Sequence, residues 1–180
     1  DNEEGAVCCI VVIDYNTHQI IEKKHYSGKI EVTYMPGFLA FRELPLVQKT
    51  VEFLENEPDI YMFDGNGYLH PRNMGIATHA SFYLNKPTIG VAKTYFRVDK
   101  KTDYIEPEKT AGSFTDIIIN EQVYGRVLRT HSDVKPVFVS IGNNISLDTA
   151  TKITMSLVEE ESHIPIPTRY ADLETHIERE

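Results

Sequence analysis

Three short segments of the sequence each join a glycine- or proline-marked loop to a carboxylate or a lysine. They are residues 34–43 (YMPGFLAFRE), 63–72 (FDGNGYLHPR) and 87–93 (PTIGVAK). Carboxylates combined with a lysine are the usual equipment of metal-assisted phosphodiester cleavage. The three segments therefore indicate a site for hydrolytic chemistry on a phosphate ester, with one side chain contributed by each segment.

Asp64 is the clearest candidate for that site, because it ends an apolar run and precedes the turn-forming Gly65-Asn66-Gly67. Its carboxylate is predicted to emerge at the carboxyl edge of a sheet, where open α/β folds bind ligands. Lys93 ends a second apolar run and is predicted to reach the same crevice, as a point charge for a phosphate or a departing oxyanion. Each has a structural alternative: an Asp that stabilises a tight turn, and a lysine whose stem covers apolar surface.

Glu43 is predicted to lie just before or within the first turn of a helix. A carboxylate there gains about 0.3–1 kcal/mol from the helix dipole, which is a sufficient structural reason for its presence. If Glu43 and Asp64 converge, their oxygens instead form a site suited to Mg²⁺, which uses few protein carboxylates and keeps several waters. Such an ion activates a water and neutralises charge that grows on the phosphate.

Residues 34–37 (YMPG) form an aromatic and apolar loop that precedes Glu43. Side chains of this kind wedge between base steps and unstack them, although most such segments are simply turns. His70 and His79 lack the spacing of zinc ligands and are interpreted as ordinary hydrogen-bonding residues.

The elements that must position these residues follow from the hydrophobic pattern. Residues 6–13 form a continuous apolar, β-branched run, which predicts a strand buried on both faces. A turn at 14–17 and strands at 19–23 and 29–33 would complete an antiparallel meander. Apolar residues at three- and four-residue steps then predict a helix over 44–54, with Pro45 in its first turn.

The remaining chain alternates strands with helices. Strands are predicted at 59–63, 88–92 and 136–141, helices at 75–84 and after an N-cap at Ser146, and a hairpin that turns at Asn120 and Glu121. The tail from residue 164 is predicted to be extended and then briefly helical. This order predicts an α/β fold, with a mixed sheet covered by helices on both faces.

Composition limits the class of protein. A chain of 180 residues is long enough for one domain with a sizeable core. No run approaches the roughly 20 apolar residues of a membrane helix, and the adjacent Cys8 and Cys9 are expected to be buried thiols in a reducing cytoplasm. The net charge of −9 argues against a non-specific polyanion binder. The nearest approach to a basic face comprises Arg72, Lys93, Arg97, Lys100 and Lys101.

The order and spacing of the three segments strongly resemble the endonuclease V family, which nicks nucleic acid beside deaminated adenine. The resemblance runs from about residue 6 to residue 178 and includes weaker matches at 135–142 and 166–172. It implies an RNase H-like fold, Glu43 and Asp64 as metal ligands, and Lys93 as an active-site lysine. The implied cofactor is Mg²⁺, with Mn²⁺ able to replace it, and the expected protein is a cytoplasmic monomer that binds no membrane.

The same resemblance implies how the substrate is bound and cut. The expected partner is inosine-containing nucleic acid, either single- or double-stranded DNA or RNA. The choice between DNA and RNA depends on a contact to the 2′-hydroxyl, which no motif in the sequence reports. Hydrolysis would fall at the second phosphodiester 3′ to the lesion and leave a 5′-phosphate. A pocket lined by backbone groups suits hypoxanthine, because fixed N–H and C=O groups match its lactam edge. The implied binding residues are Tyr34 and Pro36 as the wedge, with Gly37, Leu39, Gly65, His70, Gly75 and Ile76 around the base.

Two departures from the family pattern create a second hypothesis. The family's first metal-binding Asp lies on an opening strand upstream of residues 6–13, so the domain (residues 1–180) is expected to be N-terminally shortened and to lack that central strand. The family commonly has Gly-His-Arg where this chain has Gly142-Asn143-Asn144, which leaves Asn143 and Asp148 as candidate substitute ligands. The alternative function is a non-catalytic module that binds inosine-containing nucleic acid.

Overall fold

The computed structural model describes residues 5–30, 35 and 39–179, which contain seven strands and four helices. The strands are β1 (Gly5–Ile13), β2 (Ile20–Lys29), β3 (Tyr61–Asp64), β4 (Thr88–Ala92), β5 (Phe114–Ile119), β6 (Gln122–Leu128) and β7 (Val137–Asn143). The helices are α1 (Leu39–Glu52), α2 (Ile76–Leu84), α3 (Leu147–Ser156) and α4 (Ile166–Ile177). None of the helices in this part of the chain has the length and apolar character needed to cross a membrane.

The larger sheet has five strands in the order β3-β4-β7-β6-β5. Strands β3 and β4 are parallel, and the other neighbours are antiparallel. Asp64 lies opposite Val91, and Ala92 lies opposite Phe138. The carboxyl ends of β3 and β4 therefore lie beside the start of β7, along one border of the sheet that is formed by strand ends. We name this border the sheet edge.

Apolar layers lie on both faces of this sheet, which confirms the predicted mixed α/β architecture. On one face, Ile89 and Val139 pack with Ala150 of α3, and all three are fully buried. On the other face, the hydroxyl of Thr88 donates to the carbonyl of Ala77 in α2 at 2.7 Å. Because successive residues of a strand point to opposite faces, Ile89 and Thr88 show that α3 and α2 cover opposite sides.

Strands β1 and β2 form a separate two-stranded sheet that packs against α1 and α4. The carboxylate of Glu22 fixes this hairpin by accepting hydrogen bonds from the backbone N–H groups of Glu55 and Asn56, at 2.8 and 2.9 Å. A cavity of about 1450 Å³ lies between β1 and β3, and both strands line it along their lengths. The predicted burial of β1 on both faces is wrong: of its nine residues Val12 alone is buried, because β1 pairs with β2 along one edge and borders the cavity.

Helix α1 begins earlier than its hydrophobic stripe predicts. It starts at Leu39, so Pro45 lies inside the helix and Glu43 lies beyond the first turn. The buried stripe nevertheless includes Leu46 and Val47, as the periodicity requires. Strand β2 is longer than predicted and continues to Lys29, while most of the predicted third strand, residues 31–33, lies outside the described residues.

Local sequence signals are confirmed in the second half of the chain. The Ser146 side chain accepts a hydrogen bond from the backbone N–H of Thr149 at 3.1 Å, as an N-cap does. Asn120 and Glu121 have φ values of 50° and 64° at the β5–β6 hairpin turn, which is the left-handed pair of a type I′ turn. The tail is more regular than predicted, because α4 contains 12 residues.

Candidate active site

Lys93 lies between two carboxylates at the sheet edge where β3 and β4 end. Its Nζ is 3.1 Å from Oδ2 of Asp64 and 3.0 Å from Oδ2 of Asp172. Each of the three side chains is about 40% exposed. The charged cluster is therefore accessible to a ligand that approaches this edge.

The fold explains why these three residues meet. Asp64 is the last residue of β3, and Lys93 follows directly after β4, the parallel neighbour. Asp172 comes from α4, which packs against β1 and β3. The sequence predicted the first two members from their positions after apolar strands but missed Asp172. Its only signal was a weak family match at residues 166–172, because nothing in a helical pattern links residue 172 to residue 64.

The charges of this cluster favour the ammonium form of Lys93. Partial burial lowers the pKa of Lys93, but hydrogen bonds and attraction from Asp172 and Asp64 outweigh it, so the net pKa lies above its ordinary value. A cation is thus already held where the two carboxylates converge. Carboxylate oxygens that converge on one positive charge are also the arrangement that a hard divalent cation needs.

Glu43 projects from α1 into the cavity that Asp64 and Asp172 also line. Burial raises the pKa of Glu43; the Arg42 guanidinium lowers it and the Asp64 carboxylate raises it, and the net pKa lies above its ordinary value. The dipole explanation considered for Glu43 loses force because the residue lies beyond the first turn of α1. A carboxyl group held where burial and a neighbouring negative charge disfavour its ionised form is frequently part of a functional site.

We expect Glu43→Gln to stabilise the protein at neutral pH, by about 1 kcal/mol, because it removes a partly buried charge beside Asp64. A carboxyl whose folded-state pKa is raised contributes stability below its unfolded pKa, and that contribution is lost as pH rises through the folded value. The advantage of Glu43→Gln should therefore grow above pH 4.5, the ordinary carboxyl value, and vanish in acid.

Urea unfolding of the wild type and Glu43→Gln between pH 4 and pH 8 measures this difference. The matched control is Glu52→Gln in the same helix, because Glu52 is half exposed and pairs with Lys49 at 3.2 Å. The control should stay within about 0.5 kcal/mol of the wild type. A Glu43→Gln variant that is less stable than the wild type at pH 7 would contradict the expected sign.

The predicted base-pocket residues Gly65, Gly75 and Ile76 lie close together around the loop that follows Asp64. The loop after Asp64 crosses β4 at Gly90, where an added Cβ would lie 2.6 Å from the backbone nitrogen of Gly67. The carbonyl of Gly67 accepts a hydrogen bond from Gly75 N–H at 2.9 Å, and an ideal Cβ on Gly65 lies 3.0 Å from the Ile76 side chain. The glycines therefore allow backbone to pack on backbone, as a pocket lined by main-chain groups requires.

His70 lies at the end of the same loop, and its ring is stacked on Phe96. The two rings are 6.0 Å apart and nearly parallel, at 7°. The Nδ1 atom of His70 accepts a hydrogen bond from the backbone N–H of Arg72 at 3.1 Å. Phe96 was not predicted as a site residue. Its exposed ring beside His70 offers a flat surface on which a base can stack.

The remaining predicted residues divide into two groups. Tyr34, Pro36 and Gly37 lie outside the described residues, and Leu39 is described only as the first residue of α1. Asn143 pairs with Thr88 at the opposite end of β4 from Lys93, and Asp148 binds Arg126 at 2.6 Å. Asn143 therefore lies at the strand end opposite Asp64. Asp148, in α3, is bound by an arginine of β6, which is separated from β3 by β4 and β7.

The fit of a metal ion rests on the carboxylates around Lys93. Within residues 5–30 and 39–179, no group of three or more His, Cys, Asp or Glu side chains is close enough to hold an ion as arranged. Asp64 and Asp172 nevertheless both contact one positive group, the ammonium of Lys93. Mg²⁺ commonly uses one or two protein carboxylates, with water as its other ligands. The donor set therefore fits Mg²⁺ or Mn²⁺ if Lys93 moves aside.

A mixed sheet with helices on both faces and a carboxylate–lysine cluster at one edge defines an RNase H-like nuclease domain. The endonuclease V family model matches residues 1–173. The chain belongs to the endonuclease V family, as the three sequence segments predicted.

Known relatives agree with this assignment. Endonuclease V of Clostridium acetobutylicum is 67% identical over 177 residues, which are 98% of this chain and 75% of the relative. The crystal structure of the Bacillus subtilis protein has a TM-score of 0.93 and 58% identity, and the match covers 96% of this chain and 73% of that one. Ciona intestinalis endonuclease V, in complex with a 24mer DNA containing an inosine followed by a ribo-adenosine, has a TM-score of 0.86 and 29% identity, over 98% of this chain and 80% of that one.

Proposed function

We propose that this domain is a Mg²⁺-dependent endonuclease that hydrolyses the second phosphodiester 3′ to deoxyinosine, or to inosine in RNA, and leaves a 5′-phosphate. The observation that carries the proposal is the open cluster of Asp64, Lys93 and Asp172 at the carboxyl ends of parallel strands. The inosine-bearing DNA bound by the Ciona protein supports the substrate class.

Each side chain of the cluster has a role that its chemistry supports. Asp64 and Asp172, with Glu43 from the cavity wall, would hold Mg²⁺, which polarises the phosphate and activates a water when bound. Lys93 would supply its ammonium to a phosphate oxygen or to the departing 3′-oxyanion. A lysine ammonium is charged at neutral pH in either position.

The loop between β3 and α2 would receive the flipped base. Two side-chain oxygens in this region, Oδ1 of Asn66 and of Asn73, are buried and accept no hydrogen bond from the described residues. Because a buried acceptor without a donor costs about 1–3 kcal/mol, such groups often await a ligand. The N1–H of hypoxanthine is a donor of the required kind, whereas adenine has an acceptor at that position.

We also propose that residues 1–180 form one domain whose sheet accepts a further strand between β1 and β3. The edge of β1 that faces away from β2 and the edge of β3 that faces away from β4 border the same cavity. The unpaired backbone groups of two strand edges form a template for a strand. Such a strand would join the two sheets and bring its side chains to Glu43 and Asp64.

The test is cleavage and binding of a single-inosine DNA strand and its RNA counterpart, with Mg²⁺ and with chelator. We expect a metal-dependent nick one nucleotide beyond the inosine, and tighter binding than to the same strand with adenine. Binding that prefers inosine without any nick would favour the alternative, a non-catalytic module. Equal binding of inosine and adenine strands would overturn both.

A further inference from the structure

A second group of basic side chains lies on the sheet edge that carries Lys93. Ala92 at the end of β4 pairs with Phe138, and Leu128 at the end of β6 pairs with Val137. The segments that precede β7 and follow β6 therefore emerge beside Lys93. His131 lies in the segment that follows β6, and Lys135 lies in the segment that precedes β7. We name the group of His131, Lys135 and His163 the basic step.

Hydrogen bonds hold the parts of the basic step together. The hydroxyl of Thr130 donates to the carbonyl of His163 at 2.6 Å, and Nε2 of His131 lies 2.9 Å from the carbonyl of Glu159. These bonds tie the segment after β6 to the segment before α4. Burial lowers the pKa of His163, and the nearby charges of His131, Lys135 and Lys93 lower it further. His163 thus lies within electrostatic reach of both Lys93 and Lys135, which places the two lysines at the same edge.

The basic step has no carboxylate partner among the described residues, although the chain has 27 acidic and 18 basic side chains. Lys135 differs in this from Lys86, which lies 3.0 Å from Glu57, and from Lys49, which lies 3.2 Å from Glu52. The Lys135 ammonium is therefore an exposed positive charge without a carboxylate counter-ion among the described residues, and an anion can bind to it. A phosphate next to the scissile bond is such an anion, and phosphate contacts of this kind fix the register of a nucleic acid strand.

We infer that the basic step, with Lys135 at its exposed tip, binds a backbone phosphate of the nucleic acid strand beside the one that Lys93 serves. This inference rests on the proposed function for the identity of the strand. The step positions the strand without reading its sequence, because a phosphate carries no base information.

The test is the salt dependence of binding to a fluorescent single-stranded DNA with one inosine, in chelator so that no cleavage occurs. Each phosphate contact on a single strand contributes about −0.7 to the slope of log K against log salt concentration. We expect Lys135→Gln to reduce the magnitude of the slope by about 0.7, and Lys135→Arg to keep the wild-type slope. The matched control is Lys86→Gln, which removes the same charge at the other end of β4 and should leave the slope unchanged.

Equal slopes for Lys135→Gln and Lys86→Gln would overturn the inference. Shortening the DNA one nucleotide at a time from each end adds a second readout, since the difference between wild type and Lys135→Gln should vanish when the bound phosphate is removed. A difference that survives every truncation would also overturn it. Failure of the proposed function is recognised separately, by equal binding of inosine and adenine strands to the wild type.

Discussion

Asp64→Asn is expected to lower the rate of metal-dependent cleavage of an inosine-bearing strand by about 10³-fold, with binding in chelator changed less than about threefold. The substitution keeps the size of the side chain but removes the charge that would help to hold Mg²⁺. It also releases Lys93 from one of its two carboxylate partners, which favours contact between Lys93 and a phosphate. Single-turnover cleavage and fluorescence anisotropy measure the two effects separately.

Asp59→Asn is the matched control, because Asp59 is exposed just before β3, at the opposite end of the strand from Asp64. It makes the same chemical change and should leave both cleavage and binding as in the wild type. Cleavage retained by Asp64→Asn would remove Asp64 from the metal-binding set. A large loss of binding in chelator would instead assign it a role in holding the strand.

Gly75→Ala is expected to destabilise the protein by about 3 kcal/mol and to abolish the preference for inosine over adenine. A Cβ at position 75 would lie 2.2 Å from the carbonyl oxygen of Asn66 and 2.6 Å from that of Gly67. Both obstacles are backbone atoms, so no side chain can rotate away to relieve the contact. The loop must move, and it carries the hydrogen bonds that join it to α2.

Chemical unfolding gives the stability change, and competition between inosine and adenine strands gives the change in preference. Gly5→Ala provides the control, because a Cβ there meets nothing within 4 Å. It should stay within about 0.5 kcal/mol of the wild type. If Gly75→Ala retained both stability and inosine preference, tight backbone packing at this loop would not be needed for either.

Local signals in the sequence predicted much of the fold. The apolar runs at residues 59–63 and 88–92 became β3 and β4 within two residues, and Ser146 caps α3 as predicted. These features depend on side-chain periodicity and on hydrogen bonds between near neighbours, which a short stretch of sequence contains. The start of α1 was less accessible, because Pro45 and Glu43 look like residues of a first turn when no tertiary contacts are known.

Two features of the candidate site depended on distant parts of the chain. Asp172 meets Lys93 only because α4 packs across β1 and β3. The partial burial of β1 follows from the cavity at its second edge, whereas its apolar composition alone predicts full burial. In both cases the deciding feature involves elements that are far apart in the sequence, α4 with β4 and β1 with β3.

By itself the sequence determined the family, the mixed α/β class and the strand-end positions of Asp64 and Lys93, because each follows from residue types at short, fixed spacings. Only the tertiary structure decided which groups share a charge environment: Asp172 with Lys93, Glu43 with Asp64, and the basic step with the same sheet edge. Electrostatic interactions depend on distance through space and on burial, and neither quantity exists until helices and sheets have packed.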